Sequence, residues 1–278
     1  MRTVFRLCLV GLHMLGGVLQ MALWFPWLSR QRQLARIGAW SAQLLNICGV
    51  RLQVNGVPPA PEAGPLMLAA NYISWLDVFA VNAVVPARFV AKAEVAHWPV
   101  AGYLARKAGT VFVSRERSGG TREKVAQTAQ ALCDGEVVAV FPEGTTTVGD
   151  VVLPFKSSFF QIALDNQAMV MPVLCRYPLA GGGLNEQMAY CGDTSFVQSL
   201  RAIVAQPQSV VVLDFLPPLA AAGRRGQPAR AGGSSACAIG GQAGRIGAGA
   251  ADNGIGQGRS CGCAACGWVM AITQTSKT

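Results

Sequence analysis

Asn71-Tyr72-Ile73-Ser74-Trp75-Leu76-Asp77 is the stretch from which the rest of the chain can be read. It follows Pro65-Leu66-Met67-Leu68-Ala69-Ala70, an uncharged run that reads as a buried strand, and precedes Val78-Phe79-Ala80-Val81, an apolar helix-like run. A polar loop between a buried strand and a helix is where α/β proteins carry their chemistry. Three later stretches repeat the pattern: Gly109-Thr110-Val111-Phe112-Val113-Ser114-Arg115, then Phe141-Pro142-Glu143-Gly144-Thr145-Thr146, then Val170-Met171-Pro172-Val173.

Outward from these loops, apolar strands alternate with helical patterns. Val50 to Val54 alternates as a strand and is followed by the turn signal Asn55-Gly56. Residues 75–84 read as a helix, Arg88 to Ala91 as a short strand, and 97–107 as a helix whose start suits Pro99. Thr110 to Val113 and Val137 to Phe141 are strands flanking an amphipathic helix over Thr121 to Cys133. Ser157 to Leu164 is helical, Met169 to Leu174 a strand, Phe196 to Val204 a helix, and Ser209 to Phe215 a last strand. This alternation predicts an α/β fold with a mainly parallel central sheet flanked by helices.

The 278 residues are 51% hydrophobic and 13% charged. About 25% charge is usual for a soluble domain, so the deficit points to membrane association or a very apolar core. The net charge of +9 is uneven: residues 1–61 hold six Arg and no acid, residues 62–221 carry a net of −2, and residues 222–278 carry +5. A nearly neutral middle excludes a nucleic-acid groove, while a basic N-terminus suits an anionic membrane surface. The nine Cys are scattered. Those in the body sit in apolar runs and read as buried free thiols, without a disulfide framework.

Val4 to Leu28 is apolar, with Arg2 and Arg6 before or within it and Arg30, Arg32 and Arg36 after it. About 20 apolar residues can span a bilayer, and Trp24, Phe25 and Trp27 sit where interfacial aromatics do. A cleaved signal peptide would need a small-x-small site, which this run lacks. The segment either spans or lies in one leaflet as half of a helical hairpin. Leu34 to Cys48 has a helical period and Gly49 to stop it; it either packs on the core or completes the membrane-embedded pair. Beyond Pro217-Pro218, about a quarter of the tail is Gly, against about 7% in ordinary proteins. That composition predicts a tail without a packed core, of the kind produced when a GC-rich gene is read out of frame. Cys261-x-Cys263-x-x-Cys266 lacks the second ligand group a zinc site needs, and the body holds no metal-ligand spacing.

The four loop motifs, in this order, resemble the glycerolipid acyltransferase family, and within it the lysophosphatidic acid acyltransferases. The resemblance covers about residues 50–216 and the apolar N-terminus. The family's first motif is His-x-x-x-x-Asp, in which the Asp orients a His that acts as general base. Here Tyr72 stands at the His position and Asp77 at the Asp position. An unperturbed Tyr has a pKa of about 10 and is a poor base near neutrality. The other residues would be ordinary on their own: Asp77 a helix cap, Lys92 and Arg115 surface charges, Met171-Pro172-Val173 a core strand. The resemblance gives Arg115 and Lys92 the acceptor's phosphate, for which a guanidinium fork is well shaped. It implies that Glu143, Gly144 and Thr145 shape the acceptor site and that the fourth motif lines the acyl site. The remaining histidines are His13, in the apolar segment, and His97, beside Trp98.

The expected organisation is a helical membrane anchor over 1–48, an acyltransferase domain over 49–218 and a low-complexity tail over 219–278. The expected reaction moves a fatty acyl group from an acyl carrier protein or coenzyme A thioester to the free hydroxyl of lysophosphatidic acid or a related lysophospholipid. It needs no cofactor or metal and takes place at the cytoplasmic face of the inner membrane. The rival reading is a relative that binds lysophospholipid without acylating it. A soluble hydrolase is disfavoured because no nucleophile elbow is present.

Overall fold

In the computed structural model, which describes residues 1–60, 64–113 and 120–220, the strand preceding the first motif is buried at every position. Among the described residues seven strands form one sheet: β1 (Val50–Asn55), β2 (Leu66–Ala70), β3 (Arg88–Lys92), β4 (Val111–Val113), β5 (Val137–Val140), β6 (Met169–Arg176) and β7 (Ser209–Phe215). Their spatial order is β1-β7-β6-β2-β5-β3-β4. The helices are α1 (Arg2–Leu23), α2 (Arg30–Cys48), α3 (Leu76–Val84), α4 (Pro99–Lys107), α5 (Gly120–Cys133), α6 (Ser157–Asp165) and α7 (Phe196–Ala205).

The sheet is buried on both faces, which explains the unbroken apolar runs. Leu66, Leu68 and Ala70 of β2 face one core with Leu44 and Leu45 of α2, Leu76 and Ala80 of α3, and Ile203 of α7. Met67 and Ala69 face the other, with Ala131 and Leu132 of α5 and Ile162 and Ala163 of α6. β6, β2, β5, β3 and β4 run parallel to one another. β7 pairs antiparallel with β6 and parallel with β1. One antiparallel seam therefore divides the mainly parallel sheet. The carboxyl ends of the five parallel strands share one edge; the first and third motifs follow β2 and β5 there, and the fourth lies within β6 and ends level with Ala70. Leu219 exchanges two backbone hydrogen bonds with Val170, of 2.9 and 2.7 Å, so ordered pairing runs just past residue 218. The rest of the tail lies outside the described residues.

α1 and α2 belong to this body. α1 packs on α2, α4 and α7, and α2 packs on α3 and β1. The inward side of α1 mixes apolar and polar contacts: Val10 is buried in the core, with Leu7 and Met14 packed against it. His13 stacks on Trp40 with ring centroids 4.6 Å apart, and Gly17 lies so close to the Trp40 ring that a Cβ would meet its Nε1 at 2.9 Å. Arg6 donates to the carbonyls of Val204, Gln206 and Pro207 at 3.2, 2.6 and 3.1 Å, and Arg2 to that of Ala205 at 3.0 Å. Two guanidinium groups thus satisfy the unpaired carbonyls at the C-terminus of α7, where the helix dipole favours positive charge. Arg30 pairs with Glu136 at 2.9 Å. Three of the basic residues assigned above to a membrane surface, Arg2, Arg6 and Arg30, are therefore held by contacts within the protein, and Arg2, Arg32 and Arg36 are exposed.

The opposite side of α1 is apolar and bare. Phe5, Leu12, Leu15, Leu19 and Leu23 are about half or more exposed, and Trp24 and Trp27 continue the surface. The helix is long and apolar enough to cross a membrane, with 11% of its most apolar window buried. α2 ends where expected, with Gly49 in the left-handed region at φ 78°. The cysteines differ from expectation: Cys48 and Cys175 are buried free thiols, but Cys8 and Cys133 are exposed and Cys191 is half-buried. Local sequence shows an apolar neighbourhood but not which side of a helix meets the core.

Replacing Arg6 by Ala leaves three carbonyls to water at the α1–α7 contact. We expect a loss of about 1.5 kcal/mol, the lower end for hydrogen bonds to a charged group because the site is partly open. Thermal melting in detergent measures it. A melting temperature unchanged from the parent would show that α1 is docked by its other contacts alone.

Candidate active site

The loop after β2 is built backbone first. Asn71 is buried, and its side chain continues the β2–β6 ladder past the last strand pair, Ala70 with Val173. Its Oδ1 accepts from the Cys175 amide at 2.7 Å and its Nδ2 donates to the Cys175 carbonyl at 3.1 Å. The Tyr72 amide donates to Glu143 Oε1 at 2.8 Å, and the Tyr72 carbonyl accepts from the Thr147 amide at 3.0 Å. The Ile73 carbonyl accepts from the Tyr190 amide at 2.8 Å. The Ile73 and Ser74 amides donate to Asp77 Oδ2 at 2.7 and 2.9 Å. Trp75 anchors the start of α3 through Nε1, which donates to Ser199 Oγ of α7 at 3.1 Å, and through ring contacts with Phe79 and Phe196.

Asp77 is completely buried. Besides the two amides it receives the Tyr177 hydroxyl, which donates to Oδ1 at 2.6 Å. Burial pushes its pKa up to about 6, opposed by these three hydrogen bonds and assisted by the nearby charge of Glu143. Its position in the first turn of α3 also suits negative charge. None of the ion pairs among the described residues includes Asp77 or Glu143. The site is thus a buried carboxylate held by neutral donors.

Tyr72 is brought to this loop but does not bond to Asp77. Its half-buried ring stacks on Phe141, centroids 4.1 Å apart and 14° between planes. Burial and the neighbouring Asp77 push its phenol above the ordinary value, so it is an even weaker base than free Tyr. Glu143 is a brace: while Oε1 holds Tyr72, Oε2 accepts from the Leu153 amide at 2.9 Å. Burial raises its pKa, opposed by those two bonds. Gly144 has φ +70°, and a Cβ there would collide with the Lys156 side chain, which crosses it. Thr145 is exposed beside it, whereas Thr146 donates through Oγ1 to the Tyr190 carbonyl and Thr147 shapes the loop.

Lys92 is exposed at the end of β3, in register with Val113 of β4. It therefore lies at the same carboxyl edge as the first motif. Arg115, two residues past Val113, lies outside the described residues. Met171, Pro172 and Val173 are buried in β6, as a core strand would be. His97 is exposed in a 3-10 turn, and His13 of α1 is held by Trp40 of α2. Neither bonds to Asp77. Sequence reading missed Tyr177, Cys175 and Ser199. Tyr177 carried a usable signal: a hydroxyl just past a buried strand of the set whose ends hold the motifs. The partnerships with Cys175 and Ser199 had none, because more than 100 residues separate the pairs.

Because the folded pKa of Asp77 lies above its ordinary 3.8, the folded state binds the proton more tightly than the unfolded state. Its stabilising contribution is complete below about pH 4 and is lost as pH rises through about 6, in total on the order of 3 kcal/mol. Asp77→Asn cannot ionise, so its melting temperature should gain on the parent's between pH 4 and 7. A gap constant across that range would show that Asp77 does not titrate as described.

The comparisons with known proteins agree with this geometry. The Acyltransferase family model matches residues 51–176, the span containing all four motifs. A 1-acyl-sn-glycerol-3-phosphate acyltransferase of Neisseria gonorrhoeae is 36% identical over 193 residues, covering 68% of this chain and 72% of that protein. A lyso-ornithine lipid O-acyltransferase of Pseudomonas aeruginosa is 33% identical over 184 residues, covering 66% and 69%. The crystal structure of the lysophosphatidic acid acyltransferase PlsC from Thermotoga maritima superposes with TM-score 0.55 over 82% of this chain and 90% of that one. At 20% identity that likeness speaks for the fold. With a relative this similar over most of its length, the chain belongs to the family its motifs resemble, the glycerolipid acyltransferases.

Proposed function

We propose that the protein is an O-acyltransferase that moves a fatty acyl group from an acyl thioester to the free hydroxyl of lysophosphatidic acid or a related lysophospholipid. The observation that carries this reading is the loop 71–77, whose backbone and buried Asp77 are fixed by partners from β6, α7 and the Glu143 loop at the carboxyl edge of the sheet. Relatives named for lysophosphatidic acid and for lyso-ornithine lipid set the acceptor class.

In the reaction the acceptor oxygen bonds to the thioester carbonyl carbon, the C–S bond breaks, and the thiolate leaves with the proton that the hydroxyl loses. Lys92 and Arg115 are proposed to hold the acceptor's anionic group, with Glu143, Gly144 and Thr145 shaping its pocket. The acyl donor is an acyl carrier protein or coenzyme A thioester, and no further cofactor is required. Tyr72 keeps its proton at neutral pH, so the step a His would assist goes unassisted. A positioned general base contributes typically about 10²- to 10⁴-fold. We therefore expect slow acyl transfer by the chain as it stands and a gain within that range for Tyr72→His, with acceptor KM little changed. Radiolabelled acyl transfer to lysophosphatidate measures it. Failure of Tyr72→His to gain turnover while both substrates still bind would favour the reading of a lysophospholipid binder.

The bare apolar side of α1 is proposed to seat the protein on the cytoplasmic face of the inner membrane. Charges at Leu12 and Leu19, as the double variant Leu12→Glu/Leu19→Glu, should move the protein from the vesicle pellet to the supernatant. The inward side of α1 is untouched by these changes. Undiminished pelleting would place the membrane contact elsewhere.

A further inference from the structure

Asp77 has a partner that the first motif does not contain. A carboxylate offers about four acceptor positions, and three are filled: Oδ2 by the Ile73 and Ser74 amides, Oδ1 by the Tyr177 hydroxyl. The two amides come from the loop itself and follow its conformation. The hydroxyl comes from the other side of the site, one residue past β6, and its ring is 2% exposed. Tyr177 is in turn fixed by its chain neighbours: Cys175 is clamped by Asn71, and the Tyr177 carbonyl accepts from the Asn185 amide at 2.8 Å.

We propose that Tyr177 is a positioning residue of the acyltransfer site: its hydroxyl fixes Asp77 Oδ1, keeps the carboxylate ionised while buried, and leaves one acceptor position open for a ring N–H at position 72.

The chemistry supports the assignment. A buried carboxylate without a cation depends on its donors to stay charged. The hydroxyl at 2.6 Å is a charge-assisted contact, and it has the shortest of the three donor distances. Among the described residues the titratable groups around Asp77 are Tyr72 in its own loop, Glu143 after β5, and Cys175 and Tyr177 of the β6 segment. None of these is a cation. Burial and the adjacent carboxylate hold the Tyr177 phenol well above its ordinary value, so it remains a donor across the working range. Asn71 and Tyr177 together make β6 the fixed reference for both ends of the first motif.

The test combines a stability cycle that needs no activity with a kinetic measurement that rests on the acyltransfer reading. For the cycle, Tyr177→Phe is introduced in the chain as it stands and in Asp77→Asn, and melting temperatures are followed from pH 4 to 8. If Tyr177 acts on the charged carboxylate, the loss caused by Phe grows with pH when Asp77 is present and is flat when Asn replaces it. Equal, pH-independent losses in both backgrounds would overturn the proposal, leaving Tyr177 a packing residue. For kinetics, Tyr177→Phe in the Tyr72→His enzyme should lower kcat roughly 10- to 100-fold, the equivalent of one charge-assisted hydrogen bond, with acceptor KM unchanged within about twofold. The acid limb of its pH–rate profile should move to higher pH. If the Phe variant does not fold, 3-fluorotyrosine at position 177 keeps the ring and strengthens the donor. It should move the acid limb to lower pH, and an unmoved limb would count against the proposal. Loss of the pH-dependent cycle refutes the positioning role, whereas absence of turnover in Tyr72→His refutes the acyltransfer reading and leaves the cycle to be read alone.

Discussion

The physical constraint on which the site depends is a buried carboxylate that, among the described residues, pairs with no cation. Removing an ion from water costs several kcal/mol unless donors replace the water. Asp77 meets that cost with two backbone amides and a phenol, which fixes the backbone from Ile73 to Ser74 and the start of α3. The neighbouring backbone groups are equally committed, to Glu143, Thr147 and Tyr190. The backbone of the loop from Tyr72 to Ser74 is therefore held on both sides by specific partners.

Those partners come from far along the chain, and the sheet brings them together. Five parallel strands end on one edge, so loops that follow them meet without long excursions. The antiparallel seam between β6 and β7 returns the chain through α7, and Ser199 of that helix holds Trp75. The C-terminus of the same helix is capped by Arg2 and Arg6. The apolar helix and the first motif are thus joined through α7, and a change at either end has a short path of packed contacts to the other.

α1 shows how a composition can be right and its assignment incomplete. Its apolarity is real and serves both sides: Leu7, Val10 and Met14 pack inward beside Arg6, His13 and Gly17, while Phe5, Leu12, Leu15 and Leu19 face out. A bare apolar side opposite a packed one suits a helix set between protein and lipid. The basic residues seen as a membrane-facing charge cluster serve in part as helix caps and ion-pair partners.

Much was legible in the sequence because it depends on local periodicity. The strands over Leu66–Ala70 and Ser209–Phe215, the helix stop at Gly49 and the placing of the first and third motifs just after strands follow from apolar runs and turn residues that act within a few positions. The family followed from four short motifs in order. The tertiary structure alone decided that Tyr72 stacks on Phe141 and not against Asp77, that Tyr177 takes the place beside Asp77 Oδ1, and that Arg6 caps α7. These are pairings between residues up to about 200 positions apart. No periodicity encodes them, because a side chain's partner is set by which strand edges and helix ends the fold brings within hydrogen-bond reach.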